Sequence, residues 1–223
     1  MSGLQVKAVC FDYYGTLVDI GRPFEDIRAW FESFLETRKR VGLTKAFHQY
    51  FNRRRAVHLS GDNFITGEEM LTDCYSKACA HFRVEPDFMR FSRWIEDTFT
   101  SPAPFTDAMK SVCDINRRYP VGLITNADDK LLNTSINRHG FRFDFIMSSE
   151  AARCNKPELA IFKSALERLR ISPQNVLMVG DSIKEDVLPA QSLGMQALWL
   201  NRDGKDCPPG IMSIKSLSEI PGV

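Results

Sequence analysis

Short apolar runs alternate with longer segments of helical periodicity along most of this chain, and that alternation restricts its fold more than any other feature. The apolar runs are Val6–Phe11, Val121–Ile124, Val176–Val179 and Gln196–Leu200. Runs of this length and composition are typical of strands that are buried on both faces of a sheet. Strands that alternate with helices favour right-handed βαβ units. The pattern therefore predicts an α/β fold with a doubly wound, Rossmann-like parallel sheet.

Apolar residues recur at helical spacing between these runs and predict helices at Thr106–Tyr119, Asp128–His139, Pro157–Leu169 and Lys184–Leu193. Glycine favours the end of a helix because it adopts the left-handed conformation readily. We therefore predict that Gly140 and Gly194 end the second and fourth of these helices. Pro157 is predicted to lie in the first turn of the third helix, where its missing N–H is not needed.

Residues 20–98 differ in composition from the rest of the chain. They are rich in aromatic and charged residues, and their apolar residues recur at spacings of three and four. Trp30, Phe31 and Phe34, for example, would share one face of a helix. We predict a mostly helical insert at 20–98, a small domain that interrupts an α/β core formed by 1–19 and 99–223.

Charge and cysteine content limit the partners of the protein. The formal net charge of +1 provides no general attraction to nucleic acid or to an anionic membrane. No apolar stretch approaches the roughly 20 residues of a membrane span, and no signal-peptide pattern is found near the start. The six cysteines lack the paired spacing of a zinc site. We expect a cytoplasmic protein that binds a small anionic molecule, of an oligomeric state that the sequence does not specify.

Polar residues that could carry chemistry stand at the ends of predicted strands or at a helix start: Asp12, Thr125, Asn126, Lys156, Asp181 and Asp186. Because the carboxyl ends of adjacent parallel strands open on one crevice, we expect these side chains to converge. Carboxylates with a lysine suit Mg²⁺ bound beside an anionic substrate. Asp12 would then act as a nucleophile that forms an acyl-phosphate or an ester.

The order and spacing of these motifs resemble the haloacid dehalogenase-like (HAD) hydrolase superfamily, of the capped subfamily I type. The matching blocks are Asp12-Tyr13-Tyr14-Gly15-Thr16, Thr125-Asn126, Lys156-Pro157, and Gly180-Asp181-Ser182 with Asp186. The resemblance covers nearly the whole chain. It implies that the core has the fold of that family and that the insert at 20–98 is its cap domain.

The resemblance also implies a role for each matching residue. Asp12 would be the nucleophile, with Thr125 and Lys156 contributing to catalysis. Tyr14 and Asn126 would contact the substrate, and the backbone amides of Asn126-Ala127-Asp128 at a helix start would favour an anion. The implied ligands of Mg²⁺ are Asp12, Tyr14 through its backbone carbonyl, Asp181 and Asp186.

Tyr14 and Asp181 indicate different reactions within this superfamily. Phosphatases of this superfamily carry a carboxylate two residues after the nucleophile, whereas Tyr14 resembles the 2-haloacid dehalogenases. Those dehalogenases work without metal and have Ser where this chain has Asp181. An unpaired Asp181 beside Asp12 would be unfavourable at low dielectric, and a cation removes that cost. We therefore favour a Mg²⁺-dependent phosphatase that acts on a small phosphorylated metabolite through an aspartyl-phosphate. The alternatives are a 2-haloacid dehalogenase-like hydrolase with an aspartyl-ester intermediate and a catalytically weak binding protein.

Overall fold

The computed structural model describes residues 6–21, 23–59 and 63–220. The chain forms two compact units, one made of Met1–Asp19 with Pro102–Val223 and the other of Ile20–Ser101. The return to the first unit passes through Pro102 and Pro104, where proline favours extended backbone. Within the described ranges, no helix has the length and apolar character needed to cross a membrane.

A parallel sheet forms the centre of the first unit. Its strands are β1 (Ala8–Phe11), β2 (Val121–Thr125), β3 (Phe145–Ser148), β4 (Val176–Gly180), β5 (Gln196–Leu200) and β6 (Ser213–Ile214). Among the described residues the sheet has six strands in the order β3-β2-β1-β4-β5-β6, and all of the neighbours are parallel. The predicted doubly wound α/β fold is confirmed. Since the chain moves from β1 to β2 on one side and reaches β4 on the other, the carboxyl end of β1 is the switch point where ligands bind in such folds.

The helices, in chain order, are α1 (Pro23–Glu36), α2 (Thr44–Leu59), α3 (Gly67–Phe82), α4 (Phe88–Thr100), α5 (Ala108–Asn116), α6 (Asp129–His139), α7 (Ser149–Ala152), α8 (Leu159–Leu169) and α9 (Leu188–Ser192). Gly140 ends α6 in the left-handed conformation (φ +77°), as predicted. Every residue of β1 and β4 is buried, which explains the unbroken apolar runs of these strands.

Three predicted helices differ in their bounds. Pro157 does not begin a helix: the Glu158 amide donates to the Asn155 carbonyl (2.9 Å), so Pro157 lies in a turn and α8 starts at Leu159. The helix predicted from Thr106 begins at Ala108. A turn precedes it, in which the Ala108 amide donates to the Phe105 carbonyl.

The segment predicted as one helix from Lys184 to Leu193 is a π-helical turn at Ile183–Val187 followed by α9. The Ser182 carbonyl accepts from the amides of both Asp186 (2.9 Å) and Val187 (3.3 Å), and this wider turn orients Asp186.

The second unit, Ile20–Ser101, contains α1 to α4. Its aromatic residues pack against one another: the Trp30 and Phe34 rings stack at 5.3 Å, and the Tyr75 and Phe91 rings at 4.2 Å. Phe31 and Phe34 are fully buried. The aromatic composition of this segment is therefore explained by the core of the unit itself, in which offset and edge-to-face ring contacts are favourable.

Candidate active site

The turn after β1 carries Asp12 on a fixed backbone. The Asp12 amide continues the ladder by donating to the Val179 carbonyl (2.9 Å), and the residue is 6% exposed. Thr16 then places its hydroxyl 3.3 Å from Asp12 Oδ2. Gly15 lies between them with φ +89°, a conformation that residues with a side chain rarely adopt. The Gly-Thr pair of the motif thus turns the chain back towards the nucleophile.

Lys156 lies in the loop between α7 and α8, and its side chain extends to Asp12. Its Nζ donates to Asp12 Oδ1 (2.8 Å) and to Asp186 Oδ1 (2.5 Å), and the residue is 5% exposed. Asn126 holds the backbone of Lys156 in place: Asn126 Oδ1 accepts from the Lys156 amide (2.7 Å), and Asn126 Nδ2 donates to the Lys156 carbonyl (3.1 Å). The loop after β2 therefore orients the lysine that joins the two carboxylates.

The loop after β4 supplies Asp181 and Asp186. The Asp181 amide donates to Thr16 Oγ1 (3.1 Å), and Asp181 Oδ1 accepts from the same hydroxyl at 3.4 Å. Asp186 Oδ2 accepts from the Ser182 amide (3.0 Å), so Asp186 also fixes the loop that carries Asp181. A Cβ on Gly180 would lie 2.2 Å from Asp186 Oδ2, which means that only glycine fits there.

The resulting donor set fits Mg²⁺. Among the described residues, Asp12, Asp181 and Asp186 each offer a carboxylate oxygen, and these oxygens lie within 4.8 Å of one another. Mg²⁺ prefers hard oxygen ligands and uses one or two carboxylates beside water and substrate oxygens. Lys156 is paired with two of these carboxylates and offsets only part of their charge. A divalent cation would complete the charge balance.

The pKa values of these groups reflect desolvation first and the neighbouring charges second. Although Asp181 is partly exposed, desolvation within the carboxylate cluster, together with the charges of Asp12 and Asp186, raises its pKa to about 7 against the opposing effect of Lys156. Burial also raises the pKa of Asp186 to about 6, although Lys156 opposes it. Burial alone would lower the pKa of Lys156, but Asp12 and Asp186 outweigh burial and raise it. The lysine therefore stays protonated while the carboxylates compete for protons.

Thr125 ends β2 with a buried hydroxyl. The residue is 1% exposed, and nothing in the described part of the chain forms a hydrogen bond with Thr125 Oγ1. Buried hydroxyl groups nearly always have a partner, so this one is available to an anionic ligand at the switch point. Tyr14 is half-buried, and the charges of Asp128 and Asp12 act on its phenol.

The structure therefore brings Asp12, Lys156, Asp181 and Asp186 into direct contact or close approach, and Asn126 acts on Lys156. One expectation needs correction. The Ala127 amide donates to Ser149 Oγ (3.1 Å), so this one of the three Asn126-Ala127-Asp128 amides does not face an anion, and α6 begins one residue later than predicted, at Asp129.

Sequence reasoning used Thr16 only as a motif position and missed its hydroxyl as the link between Asp12 and Asp181. The signal was present in the sequence: a threonine placed directly after a turn-forming glycine can direct its hydroxyl back to the residues that precede the turn. Its partner on the loop after β4, however, depends on the strand order.

A family model described as haloacid dehalogenase-like hydrolase matches residues 6–194. The pyrimidine 5'-nucleotidase YjjG of Escherichia coli (strain K12) is 31% identical over 152 residues, which cover 59% of this chain and 68% of that protein. Glyceraldehyde 3-phosphate phosphatase of Pyrococcus furiosus is 24% identical over 87% of this chain and 80% of that protein. (S)-2-haloacid dehalogenase of Pseudomonas sp. (strain YL) is 23% identical over 89% and 84%. Alignments with two further relatives span 34% and 46% of their lengths.

Solved structures agree on the fold. The L-2-haloacid dehalogenase PA0810 superposes with a TM-score of 0.71 at 17% identity, covering 96% of both chains. The HAD-hydrolase YfnB of Bacillus subtilis, solved with magnesium, has a TM-score of 0.68 at 20% identity and covers 96% of both chains. At these identities the likeness establishes the fold. With the family match, which spans most of the sequence and all four motif blocks, it means that this chain belongs to the haloacid dehalogenase-like hydrolases, a family of enzymes.

Proposed function

We propose that this hydrolase is a Mg²⁺-dependent phosphatase that acts on a small phosphorylated metabolite through an aspartyl-phosphate on Asp12. One observation carries the proposal: Asp181 lies beside Asp12 and Asp186, and Lys156 compensates only part of their charge. A site of this charge favours a divalent cation, and a cation beside a nucleophilic carboxylate favours a phosphoryl substrate. Relatives with the names nucleotidase and phosphatase support the same class of reaction. In this proposal the unit Ile20–Ser101 is the cap domain.

Asp12 would attack phosphorus in line through one carboxylate oxygen. A bond between that oxygen and phosphorus forms while the bond from phosphorus to the leaving alcohol breaks, and the alcohol takes its proton from solvent. Water then attacks the phosphorus of the aspartyl-phosphate, which releases inorganic phosphate and restores the Asp12 carboxylate. Burial of Asp12 limits the hydration of its carboxylate in the free enzyme, which would otherwise weaken it as a nucleophile.

The other residues would stabilise the charge that develops on the phosphoryl oxygens. The protonated Lys156 offsets the negative charge of Asp12 as the anionic substrate approaches, and the Thr125 hydroxyl can donate to a phosphoryl oxygen. When bound, Mg²⁺ supplies further charge stabilisation, with Asp12, Asp181, Asp186 and the Tyr14 carbonyl as its proposed protein ligands. Asn126 acts by orienting Lys156.

The test measures phosphate release from p-nitrophenyl phosphate with Mg²⁺ or EDTA, for the wild type and Asp12→Asn. We expect Mg²⁺-dependent release that falls by more than about 10³-fold in the variant, because the amide is a poor nucleophile. Asp19→Asn is the matched control, since it makes the same chemical change at an exposed position of the same segment. Phosphate release that survives Asp12→Asn would refute the assignment of the nucleophile.

Dehalogenation is the second candidate, favoured by Tyr14 and by the dehalogenase relative. It predicts halide release from a 2-chloroacid that persists in EDTA. Single turnover in ¹⁸O-labelled water separates the two reactions. Hydrolysis of an aspartyl ester at its acyl carbon labels Asp12, whereas attack on phosphorus labels the released phosphate. Ligand retention with neither product would instead indicate a binding protein.

A further inference from the structure

We propose that Arg202 is a positioning residue for the cation site, because it holds the backbone of Thr16 and so the spacing between Asp12 and Asp181. The inference rests on the proposed Mg²⁺ site but concerns a residue that lies outside the motif blocks. Arg202 follows β5, and its Nη2 donates to the Thr16 carbonyl oxygen at 3.0 Å.

Thr16 is the residue through which this contact would act. Its hydroxyl lies 3.3 Å from Asp12 Oδ2 and 3.4 Å from Asp181 Oδ1, and it accepts from the Asp181 amide at 3.1 Å. One side chain thus links the nucleophile turn to the loop after β4. A shift of the Thr16 backbone changes the distance between two proposed metal ligands.

Arg202 is itself held rigidly. Its Nη1 and Nη2 donate to the two carboxylate oxygens of Asp107 (3.0 and 2.9 Å), and its guanidinium lies 4.0 Å from the centre of the Phe105 ring. Asp107 accepts in turn from Ser216 Oγ (2.7 Å) and the Leu217 amide (2.9 Å). A planar guanidinium can make a bidentate ion pair and a third hydrogen bond at once, which an ammonium cannot do in the same geometry.

β5 also holds the backbone of Asp181, the residue that Thr16 links to Asp12. Trp199, in β5, donates its indole Nε1–H to the Asp181 carbonyl at 2.9 Å. Trp199 and Arg202 therefore fix the backbone of Asp181 and of Thr16 from one strand end. Mg²⁺ requires near-ideal octahedral geometry, so small displacements of its ligands reduce its affinity. Residues that orient metal ligands are typically worth about 10- to 100-fold in metal affinity or activity.

The experiment is a calorimetric titration with Mg²⁺ of the wild type, Arg202→Met and Arg202→Lys, at a temperature where thermal scans find all three folded. Arg117→Met is the matched control: it removes an arginine that pairs with Asp114 (3.0 Å) on the surface of the same unit. We expect affinity about tenfold weaker in Arg202→Met, intermediate in Arg202→Lys and unchanged in Arg117→Met.

A purely structural role would lower the melting temperature of Arg202→Met while Mg²⁺ affinity stays within about twofold of the wild type, and that result overturns the inference. If Arg202→Met does not fold, Arg202→Lys decides by the same criterion. In another outcome, the wild type binds Mg²⁺ and the Arg202 variants bind it more weakly, as expected, while the wild type releases no phosphate. That result refutes the phosphatase proposal but supports the role of Arg202. If the wild type binds no Mg²⁺, both the Mg²⁺-dependent phosphatase and the role of Arg202 are refuted.

Discussion

In the proposed reaction, Tyr14 is the residue that we expect to restrict most which leaving groups the site accepts. Its ring makes an edge-to-face contact with that of Tyr13 at 5.0 Å. Burial first, and then Tyr13, Asp128 and Asp12, raise the pKa of its phenol above the ordinary value. Such a phenol is a weak acid, and near neutral pH it cannot accept a proton from water as a carboxylate can. Substrates with good leaving groups should therefore react best.

Two substitutions test this role of Tyr14. We expect Tyr14→Phe to hydrolyse aryl phosphates within about threefold of the wild type, because the phenol transfers no proton. Tyr14→Asp should raise the rate on alkyl phosphates relative to aryl phosphates by about tenfold or more, since it introduces a general acid. Initial rates on phenyl and ethyl phosphates measure this ratio. Loss of all activity in Tyr14→Phe would instead assign a catalytic role to the phenol.

At the scale of elements, two short turns bring the proposed ligands together. Gly15 lets the turn after β1 pack closely against Asp181, since a Cβ at this position would lie 2.7 Å from Asp181 Oδ2. The π-helical turn after β4 widens the backbone at Asp186 and directs its carboxylate to Lys156. Irregular backbone at these two points is therefore part of the site rather than a defect of the fold.

Gly15→Ala and Gly140→Ala form a matched pair that separates the backbone effect from the contact with Asp181. Both glycines have positive φ, but an added Cβ on Gly140 meets no atom of the described residues within 4 Å. We expect Gly140→Ala to lose about 1 kcal/mol of unfolding free energy and to keep its Mg²⁺ affinity. Gly15→Ala should lose more stability and also bind Mg²⁺ more weakly, because Asp181 must move. Urea unfolding and Mg²⁺ titration measure the two effects, and equal Mg²⁺ affinity in both variants would contradict this account.

At the scale of the whole molecule, the cluster of carboxylates makes stability depend on pH. The pKa of Asp181 is raised to about 7 and that of Asp186 to about 6, so the folded protein binds more protons than the unfolded chain between about pH 4 and 7. The contribution of these groups to stability is complete below about pH 4 and is lost as pH rises through 6 and 7. Mg²⁺ opposes this loss because it binds the ionised carboxylates of the folded state.

We therefore expect Asp181→Asn to raise the melting temperature of the metal-free protein at pH 8 and to change it little at pH 5. The same variant should lose most of the rise in melting temperature that Mg²⁺ causes in the wild type. Asp206→Asn, on an exposed loop, is the control for the loss of one negative charge. Thermal scans at both pH values, with EDTA or Mg²⁺, measure these shifts. A lower melting temperature of Asp181→Asn at pH 8 would contradict the proposed repulsion.

Two strands, β3 and β6, were not predicted from the sequence, and the reason is physical. β6 spans only Ser213–Ile214, and the apolar run of β3 is only the three residues Phe145 to Met147 before Ser148, so neither pattern stands out in the sequence. The position of β3 beside β2 depends on Gly122. The Phe145 ring of β3 fills the space that a side chain at Gly122 would occupy, since a Cβ on Gly122 would lie 2.0 Å from that ring. A glycine inside a strand was the available sign of such a close approach.

Strand runs, helical spacing and turn glycines are local properties, so the amino-acid sequence was enough to predict the α/β class, the central strands and the residues at their carboxyl ends. Which of those residues meet depends on the tertiary structure. The order β2-β1-β4 allows Lys156 to contact Asp12 and Asp186, and allows Thr16 to link Asp12 with Asp181. It also brings Arg202 to the Thr16 carbonyl from the end of β5. Contacts between residues so far apart in the chain depend on the order of the strands in the sheet, which strand runs and turn glycines do not specify.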